Sequence, residues 1–242
     1  MKIILRIRRS NPENDPVPHY REYPVDVEPT DRVLDAILYV KQRVDASLGV
    51  RKSCAHGICG SDAMRINGIE RLACKTIVKD IARDGDVVVL EPLRSMPVQR
   101  DLMVDQNAFF EKYRSVKPFF IPAAPPRPKE QLQMPQQRMR YDDPTKCILC
   151  GACYSSCPVV AGKNPQFIGP AAVLQAARFV FDSRDIGIRG RLAELDTPNG
   201  VWACENHFDC TKVCPRKIKV TKNINETKHA ITVHKENDHQ AV

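Results

Sequence analysis

The sequence predicts an α+β protein in which a strand-rich N-terminal domain precedes a mostly helical C-terminal domain. In the first domain, apolar Ile3, Leu5 and Ile7 alternate with charged Lys2, Arg6 and Arg8, and residues 87–90 form a β-branched run, both typical of strands. In the second, residues 170–181 place apolar side chains on one helical face behind an early proline, and strand patterns are few. Two domains of different secondary structure therefore follow from the hydrophobic periodicity.

Other local patterns predict the remaining elements of the first domain. Residues 20–27 are predicted to pair with the first strand. Thr30 is predicted to cap a helix from residue 31 to about residue 44, whose apolar residues share one face. Asn67-Gly68 is a strong signal for a tight turn between two short strands, and residues 104–113 are predicted to form a connecting helix. Together these patterns predict several strands packed against one helix.

A proline-rich stretch separates the two domains. Six prolines lie between residues 117 and 135, and because proline fixes φ and removes a backbone donor, this stretch is predicted to be an extended linker. The predicted domains are therefore residues 1–103 and residues 141–242, with the connecting helix and linker at 104–140. The polar tail from residue 235 is predicted to fray.

The composition narrows the class of protein. A formal charge of +8 suits an anionic membrane surface, an acidic partner or nucleic acid, but one tryptophan and no run of interleaved arginine and aromatic residues argue against nucleic acid. No apolar run approaches the roughly 20 residues of a membrane-spanning helix, and no secretory signal is recognised. We therefore expect no transmembrane helix of its own and a reducing compartment, where ten cysteines indicate metal binding rather than disulfides.

The cysteines fall into three groups, and the last two groups share one spacing. The second group reads C-x2-C-x2-C-x3-C-P from Cys147, and the third repeats that run from Cys204 with His207 in place of its second cysteine. Two-cluster ferredoxins have this run, and the fourth cysteine of each run binds the other cluster. The predicted [4Fe–4S] ligands are Cys147, Cys150, Cys153 and Cys214, and the predicted ligands of the other cluster are Cys157, Cys204 and Cys210.

The other cluster has three thiolates and no fourth, which favours [3Fe–4S]. Imidazole also binds iron, so His207 is either the fourth ligand of a [4Fe–4S] cluster or a neighbour that does not bind. We expect the second, because the sequence shows no carboxylate partner that would orient the ring. Paired zinc sites fit poorly, because zinc favours isolated C-x2-C pairs in tetrahedral sets.

The first group has the C-x4-C-x2-C…C spacing of plant-type [2Fe–2S] ferredoxins, formed by Cys54, Cys59 and Cys74, except that Asp62 replaces the third cysteine. Asp62 is either the fourth ligand or a solvated loop residue with water or another donor on that iron. We expect ligation, because Asp62 stands at the ligand's position. All ten cysteines are then assigned to clusters.

This combination of a plant-type domain and a two-cluster domain resembles the iron–sulfur subunits of succinate dehydrogenases and fumarate reductases over almost the whole chain. The resemblance includes four further segments at 100–105, 169–172, 182–185 and 200–202. It implies a β-grasp ferredoxin fold for the first domain and [3Fe–4S] for the last cluster. Members carry Cys or Asp at the position of Asp62, which implies ligation there.

The function that the resemblance implies is electron transfer in a succinate dehydrogenase. A partner flavoprotein subunit oxidises succinate at FAD, and electrons pass singly through [2Fe–2S], [4Fe–4S] and [3Fe–4S] to quinone at transmembrane anchor subunits, which in some cases hold haem. The dicarboxylate active site is expected on another chain, in agreement with the lack of a G-x-G-x-x-G motif here. The subunit is expected to lie peripherally on the cytoplasmic face of the inner (cell) membrane.

Near the quinone the chain departs from the family. Ala161 and Gly162 occupy positions where many members have tryptophans, and Glu205 stands where histidine is frequent. Pro158 and His207 are left as candidate quinone neighbours. The alternatives are a fumarate reductase running in reverse, the electron-transfer subunit of another flavin-linked oxidoreductase, and, from a different class, a redox-sensing module, for which no recognition element is found.

Overall fold

The computed structural model describes residues 1–125 and 129–240, with side chains up to residue 237. The chain divides into two compact units, residues 1–106 with 148–156 and residues 107–147 with 157–242. In chain order, the helices are α1 Val33–Tyr39, α2 Asn107–Ser115, α3 Pro135–Met139, α4 Asp142–Thr145, α5 Ala152–Ser155, α6 Pro170–Val180, α7 Ile188–Leu195, α8 Asp209–Lys212 and α9 Val220–Gln240.

The first unit is built on a five-stranded sheet. Its strands are β1 Lys2–Asn11, β2 Asp15–Asp26, β3 Ala63–Ile66, β4 Ile69–Leu72 and β5 Val87–Glu91. Their order is β2-β1-β5-β3-β4, with β1 parallel to β5 and the other neighbours antiparallel. The three predicted strand patterns at 3–7, 20–27 and 87–90 are therefore confirmed.

The alternation along β1 has the expected result. Ile3, Leu5 and Ile7 are at most 1% exposed and form the core of the sheet, whereas Lys2 and Arg6 are exposed. Because side chains alternate between the two faces of a strand, β1 contributes every second residue to the core.

The first helix begins later than predicted. Arg32 has extended backbone and forms a bridge with Ile77, so helical structure cannot start before Val33. The N–H of Arg32 donates to the carboxylate of Asp35 at 3.0 Å. The carboxylate of Asp31 accepts instead from the N–H of Glu28 at 2.8 Å. Thr30 is therefore not the cap. After α1, residues 40–44 form a π-helical turn that ends where the prediction placed the helix end.

The predicted tight turn is confirmed. Asn67 and Gly68 join β3 to β4 with φ of 50° and 79°, as a type I′ hairpin turn requires. The Asn67 side chain also accepts the N–H of Val89 at 2.8 Å, which ties the turn to the strand next to β3.

The connection to the second unit differs from the prediction at its start. Val104 belongs to β7 (Met103–Val104), which pairs with β6 (Val98–Arg100), so helix α2 does not begin until Asn107. The described residues from 116 to 134 form no helix or strand, in agreement with the predicted linker. Pro126 and Pro128, two of its prolines, lie outside the described residues.

The second unit is helical, and α6 forms its core. All but one of the eleven residues of α6 are buried, and α6 packs against α7 and α9. The predicted helix at 170–181 is confirmed. The predicted fraying from residue 235 is wrong, because α9 continues to Gln240. The Lys235 ammonium pairs with the carboxylate of Asp196 at 2.6 Å, a contact that the sequence does not reveal.

A buried arginine fixes the beginning of the linker within the second unit. Arg191 is 0% exposed and pairs with Asp185, and it also donates to the carbonyls of Lys117 and Phe119. The Asp185 carboxylate in turn accepts the N–H of Ile121 at 2.8 Å. A buried charge needs such a set of partners, because a buried polar group that lacks a hydrogen-bond partner destabilises the fold.

A buried carboxylate of the first unit binds residues 148–156. The Ser155 hydroxyl donates to Glu70 Oε1 at 2.9 Å and accepts the N–H of Arg94 at 2.7 Å. Glu70 is 3% exposed. This contact attaches Cys150 and Cys153 to the β3–β4 hairpin.

At Gly60 the loop of the first cysteine group lies close against residues 148–156. A Cβ on Gly60 would lie 2.7 Å from the Cβ of Cys150, and Gly60 has φ of +70°. Both features favour glycine, because any other residue would be strained at this positive φ and its Cβ would overlap Cys150.

Replacing Gly60 by alanine is expected to destabilise the protein more than replacing Gly85. Both residues have positive φ, so each variant carries a backbone cost of about 1–2 kcal/mol. A Cβ on Gly85 meets no described atom within 4 Å, whereas at Gly60 it overlaps Cys150 and adds roughly 1–3 kcal/mol of overpacking. Melting temperatures measured side by side test this. Equal losses in Gly60→Ala and Gly85→Ala would contradict the close contact.

Candidate metal centres

The first centre is a loop that directs backbone N–H groups at a thiol. Ala55 and Gly57 have φ of 58° and 81°, which turns the chain around Cys54. The N–H groups of His56 and Cys59 lie 3.5 and 3.3 Å from Cys54 Sγ. The bonds from His56 and then Cys59 lower the pKa of the Cys54 thiol to about 6, because they stabilise its thiolate.

The β3–β4 hairpin brings the other two predicted ligands together. Asp62 precedes β3 and Cys74 follows β4, and both are buried, at 3% and 0% exposure. Asp62 Oδ2 accepts the Cys74 N–H at 2.5 Å. Burial, followed by the nearby Asp62 carboxylate, raises the pKa of the Cys74 thiol to about 12. This is the reverse of the effect at Cys54.

The donor set fits a metal cluster at this loop. Asp62 Oδ1 is buried, and no described residue donates a hydrogen bond to it. A buried carboxylate oxygen normally has a partner, so this oxygen is available to a cation. Cys59 is exposed and its Sγ contacts the Ser61 hydroxyl at 3.1 Å, and Cys54 is close enough to Cys74 to contribute to the raised pKa of the Cys74 thiol. The structure thus places Cys59 against Cys54 and Asp62 against Cys74, with Cys54 in the electrostatic surroundings of Cys74.

The two later cysteine runs have matching backbones. Leu149 and Gly151, with φ of 53° and 80°, flank Cys150, and Asn206 and Phe208, with φ of 60° and 65°, flank His207. Each run then enters a four-residue helix, α5 or α8, whose N-cap is left-handed. A left-handed phenylalanine is strained, and such strain concentrates at functional sites. The sequence repeat is therefore a structural repeat.

Three cysteines of the second unit line one cavity. Cys157, Cys204 and Cys210 share it with Pro158 and His207. Burial raises the pKa of the Cys157 thiol, and burial raises that of Cys210 to about 11. Each thiol also lies in the field of Cys204, so their ionised forms destabilise one another until a cation joins them. The set suits a cluster held by three thiolates.

His207 has a carboxylate partner that the sequence analysis missed. His207 Nε2 lies 2.9 Å from Glu205 Oε2, and Glu205 also pairs with Lys163. Lys163 and then His207 hold the pKa of the Glu205 carboxyl below its usual value. The prediction that His207 lacks a carboxylate partner, which was the reason for expecting no ligation, is therefore wrong. The signal was present as Glu205 two residues earlier in the chain.

The remaining four cysteines are divided between the units. Cys150 and Cys153 lie in the first unit, and Cys147 and Cys214 lie in the second. Among the residues that the structure describes, no three or more His, Cys, Asp or Glu side chains are grouped to hold a single metal ion. Among those same residues, no helix has both the length and the apolar character needed to cross a bilayer.

The opposite pKa shifts at Cys54 and Cys74 predict a difference in reactivity once iron has been removed. The thiolate is the nucleophile. At pH 7 Cys54, with a pKa of about 6, is mostly thiolate, whereas Cys74, with a pKa of about 12, stays protonated. Iodoacetamide is expected to modify Cys54 at least about tenfold faster. Mass spectrometry of timed samples measures both rates. A Cys54 rate that still rises between pH 7 and about pH 9, as for an ordinary thiol, would contradict the lowered pKa.

Comparisons with known proteins agree with these two kinds of centre. A family described as a 2Fe-2S iron-sulfur cluster binding domain matches residues 4–111, and one described as a 4Fe-4S dicluster domain matches residues 143–218. The predicted α+β fold class, a [2Fe–2S] ferredoxin domain followed by a helical two-cluster domain, is confirmed.

Relatives match over nearly the whole chain. The fumarate reductase iron-sulfur subunit of Escherichia coli O157:H7 is 39% identical over 93% of this chain and 91% of its own. The succinate dehydrogenase iron-sulfur subunit of Coxiella burnetii is 40% identical over 90% of this chain and 92% of its own. A chain of the Mycobacterium smegmatis Sdh1 complex in the apo form matches with a TM-score of 0.88, 31% identity and 97% coverage of both chains. This protein therefore belongs to the family of iron–sulfur subunits of succinate dehydrogenases and fumarate reductases.

Proposed function

We propose that this chain is the electron-transfer subunit of a succinate dehydrogenase, which relays electrons from FAD on a partner flavoprotein subunit to quinone at a membrane anchor. The observation that carries the proposal is the contact of Gly60 with Cys150, because it joins the loop of the first centre to a predicted ligand of the second. An electron carrier needs its centres in such a series.

We propose three ligand sets for this chain. Each cluster, when bound, accepts and releases one electron at a time, with a potential set by ligand type, hydrogen bonds to sulfur and burial. The sets are Cys54, Cys59, Asp62 and Cys74 for [2Fe–2S]; Cys147, Cys150, Cys153 and Cys214 for [4Fe–4S]; and Cys157, Cys204 and Cys210 for [3Fe–4S].

The residues around the sets are suited to different tasks. At the first centre, backbone N–H groups favour the Cys54 thiolate, while Asp62 offers a buried, harder ligand. At the last centre, Cys157 and Cys210 are 8% and 7% exposed, so the protein shields them from water. Pro158 and His207 line the same cavity, which supports a quinone position near them.

We place the dicarboxylate active site on the partner flavoprotein. The clusters supply only electron transfer, and the sequence has no dinucleotide-binding G-x-G-x-x-G motif. The charge of +8 suits a peripheral position against an anionic cytoplasmic membrane face and anchor subunits. The relatives include both succinate dehydrogenase and fumarate reductase subunits, so fumarate reduction in the reverse direction is the second candidate.

Purification of the chain together with its flavoprotein and anchor partners tests the proposal. Low-temperature EPR with a redox titration is expected to show reduced [2Fe–2S], reduced [4Fe–4S] and oxidised [3Fe–4S] signals, and succinate is expected to reduce the complex. Succinate–quinone turnover faster than quinol–fumarate turnover supports the dehydrogenase, and the opposite ratio supports the reductase. Zinc in place of iron, or no turnover with either dicarboxylate, would sink the proposal.

Asp62 variants separate ligation from hydrogen bonding. Asp62→Asn keeps an oxygen for the Cys74 N–H but loses the anionic ligand, and Asp62→Ala loses both. We expect Asp62→Cys to retain the [2Fe–2S] cluster and both other variants to lose it about tenfold faster or more. The decay of its visible absorption and EPR signal in the purified complex measures this. Wild-type retention in Asp62→Asn would leave Asp62 with a hydrogen-bonding role alone.

A further inference from the structure

A buried hydroxyl contacts one thiol of the last centre. Thr221, 1% exposed, lies in the first turn of α9 and its Oγ1 is 3.4 Å from Cys210 Sγ. The same oxygen is 3.0 Å from Thr211 Oγ1, and the Thr221 N–H donates to Thr211 Oγ1 at 3.0 Å. Two threonines and one cysteine thus form a short chain of hydrogen bonds inside the second unit.

The direction of this chain follows from its donors and acceptors. Cys210 bound to iron is a thiolate and can only accept, so the Thr221 hydroxyl donates its single proton to sulfur. Thr221 Oγ1 then accepts from the Thr211 hydroxyl, whose own oxygen already accepts the Thr221 N–H. The protons of the chain therefore all point towards Cys210.

Thr221 differs in this respect from another buried threonine of the same helix. The Thr227 hydroxyl donates to the carbonyl of Asn223 at 2.8 Å, four residues earlier, which is the usual bond of a helical threonine. Thr227 is 0% exposed, so its burial matches that of Thr221, but its hydroxyl contacts a backbone carbonyl and not a cysteine. This gives Thr221 a natural control in the same element.

We propose that Thr221 is a positioning residue that raises the reduction potential of the cluster at Cys157, Cys204 and Cys210; this rests on the proposed function. A hydrogen bond to a ligand sulfur stabilises the reduced cluster more than the oxidised one, because the reduced state puts more negative charge on sulfur. The N-terminus of the 21-residue helix α9 adds partial positive charge on the same side. The final centre of the series thereby holds electrons more firmly.

The purified complex tests this by EPR redox titration of the last cluster. In Thr221→Val, at the wild-type midpoint potential, the ratio of oxidised to reduced cluster is expected to rise about fivefold, the equivalent of one ~1 kcal/mol hydrogen bond. Thr221→Ser keeps the hydroxyl and is expected to keep the wild-type ratio, as is Thr227→Val. Thr211→Val removes the donor to Thr221 Oγ1 and a second hydroxyl near Cys210, and it is expected to shift the ratio in the same direction by less.

The outcomes distinguish this inference from the proposed function. A wild-type complex without this cluster would defeat the function itself. A wild-type cluster with an unchanged midpoint in Thr221→Val, or an equal shift in Thr227→Val, would overturn only the role of Thr221. If Thr221→Val lacks the EPR signal of the last cluster, Thr221→Ala is titrated instead. This variant also lacks the hydroxyl, and we expect the same rise of about fivefold in the ratio of oxidised to reduced cluster. Loss in both variants with retention in Thr221→Ser would assign the hydroxyl to cluster retention and overturn potential tuning.

Discussion

The hydrogen bond between Ser155 and the buried carboxylate of Glu70 is the interaction on which the arrangement of the first unit depends. It fastens residues 148–156, distant in sequence, to the β3–β4 hairpin. That same hairpin holds Asp62 and Cys74, so one supersecondary element positions proposed ligands of one centre and anchors the run that carries proposed ligands of the next. Because Glu70 is also close to Arg65 and Arg94, its charge is compensated despite its burial.

The proposed first and last centres contain cysteine sulfurs in different surroundings. At Cys54 the backbone supplies donors and the thiolate is favoured, whereas Cys74, Cys157 and Cys210 are buried and their neutral thiols are favoured without iron. Binding of iron to the buried set therefore releases protons from thiols that would otherwise keep them. Iron binding at Cys74, Cys157 and Cys210 is therefore expected to depend on pH more strongly than iron binding at Cys54.

Sequence periodicity and cysteine spacing predicted the α+β class, the strands, the Asn67-Gly68 turn and α6, because these depend on local pattern. The sequence could not place the start of α1, because that depends on the long-range bridge between Arg32 and Ile77. It missed the continuation of α9, which the contact of Lys235 with Asp196 supports. The carboxylate partner of His207 is Glu205, which lies only two residues earlier, so local sequence could have predicted it. Thr221 carries no sequence signal at all, since its role depends on the packing of α9 against α8.

The buried Arg191 divides the connecting segment into two parts with different freedom to change. Residues 117–121 are tied to Arg191 and Asp185 by backbone bonds, so their length and path are fixed by the helical unit. Insertions or deletions there would leave the buried side chains of Arg191 and Asp185 without these backbone hydrogen-bond partners. Variation in length among related chains is therefore expected to accumulate after Ile121 and not between residues 117 and 121.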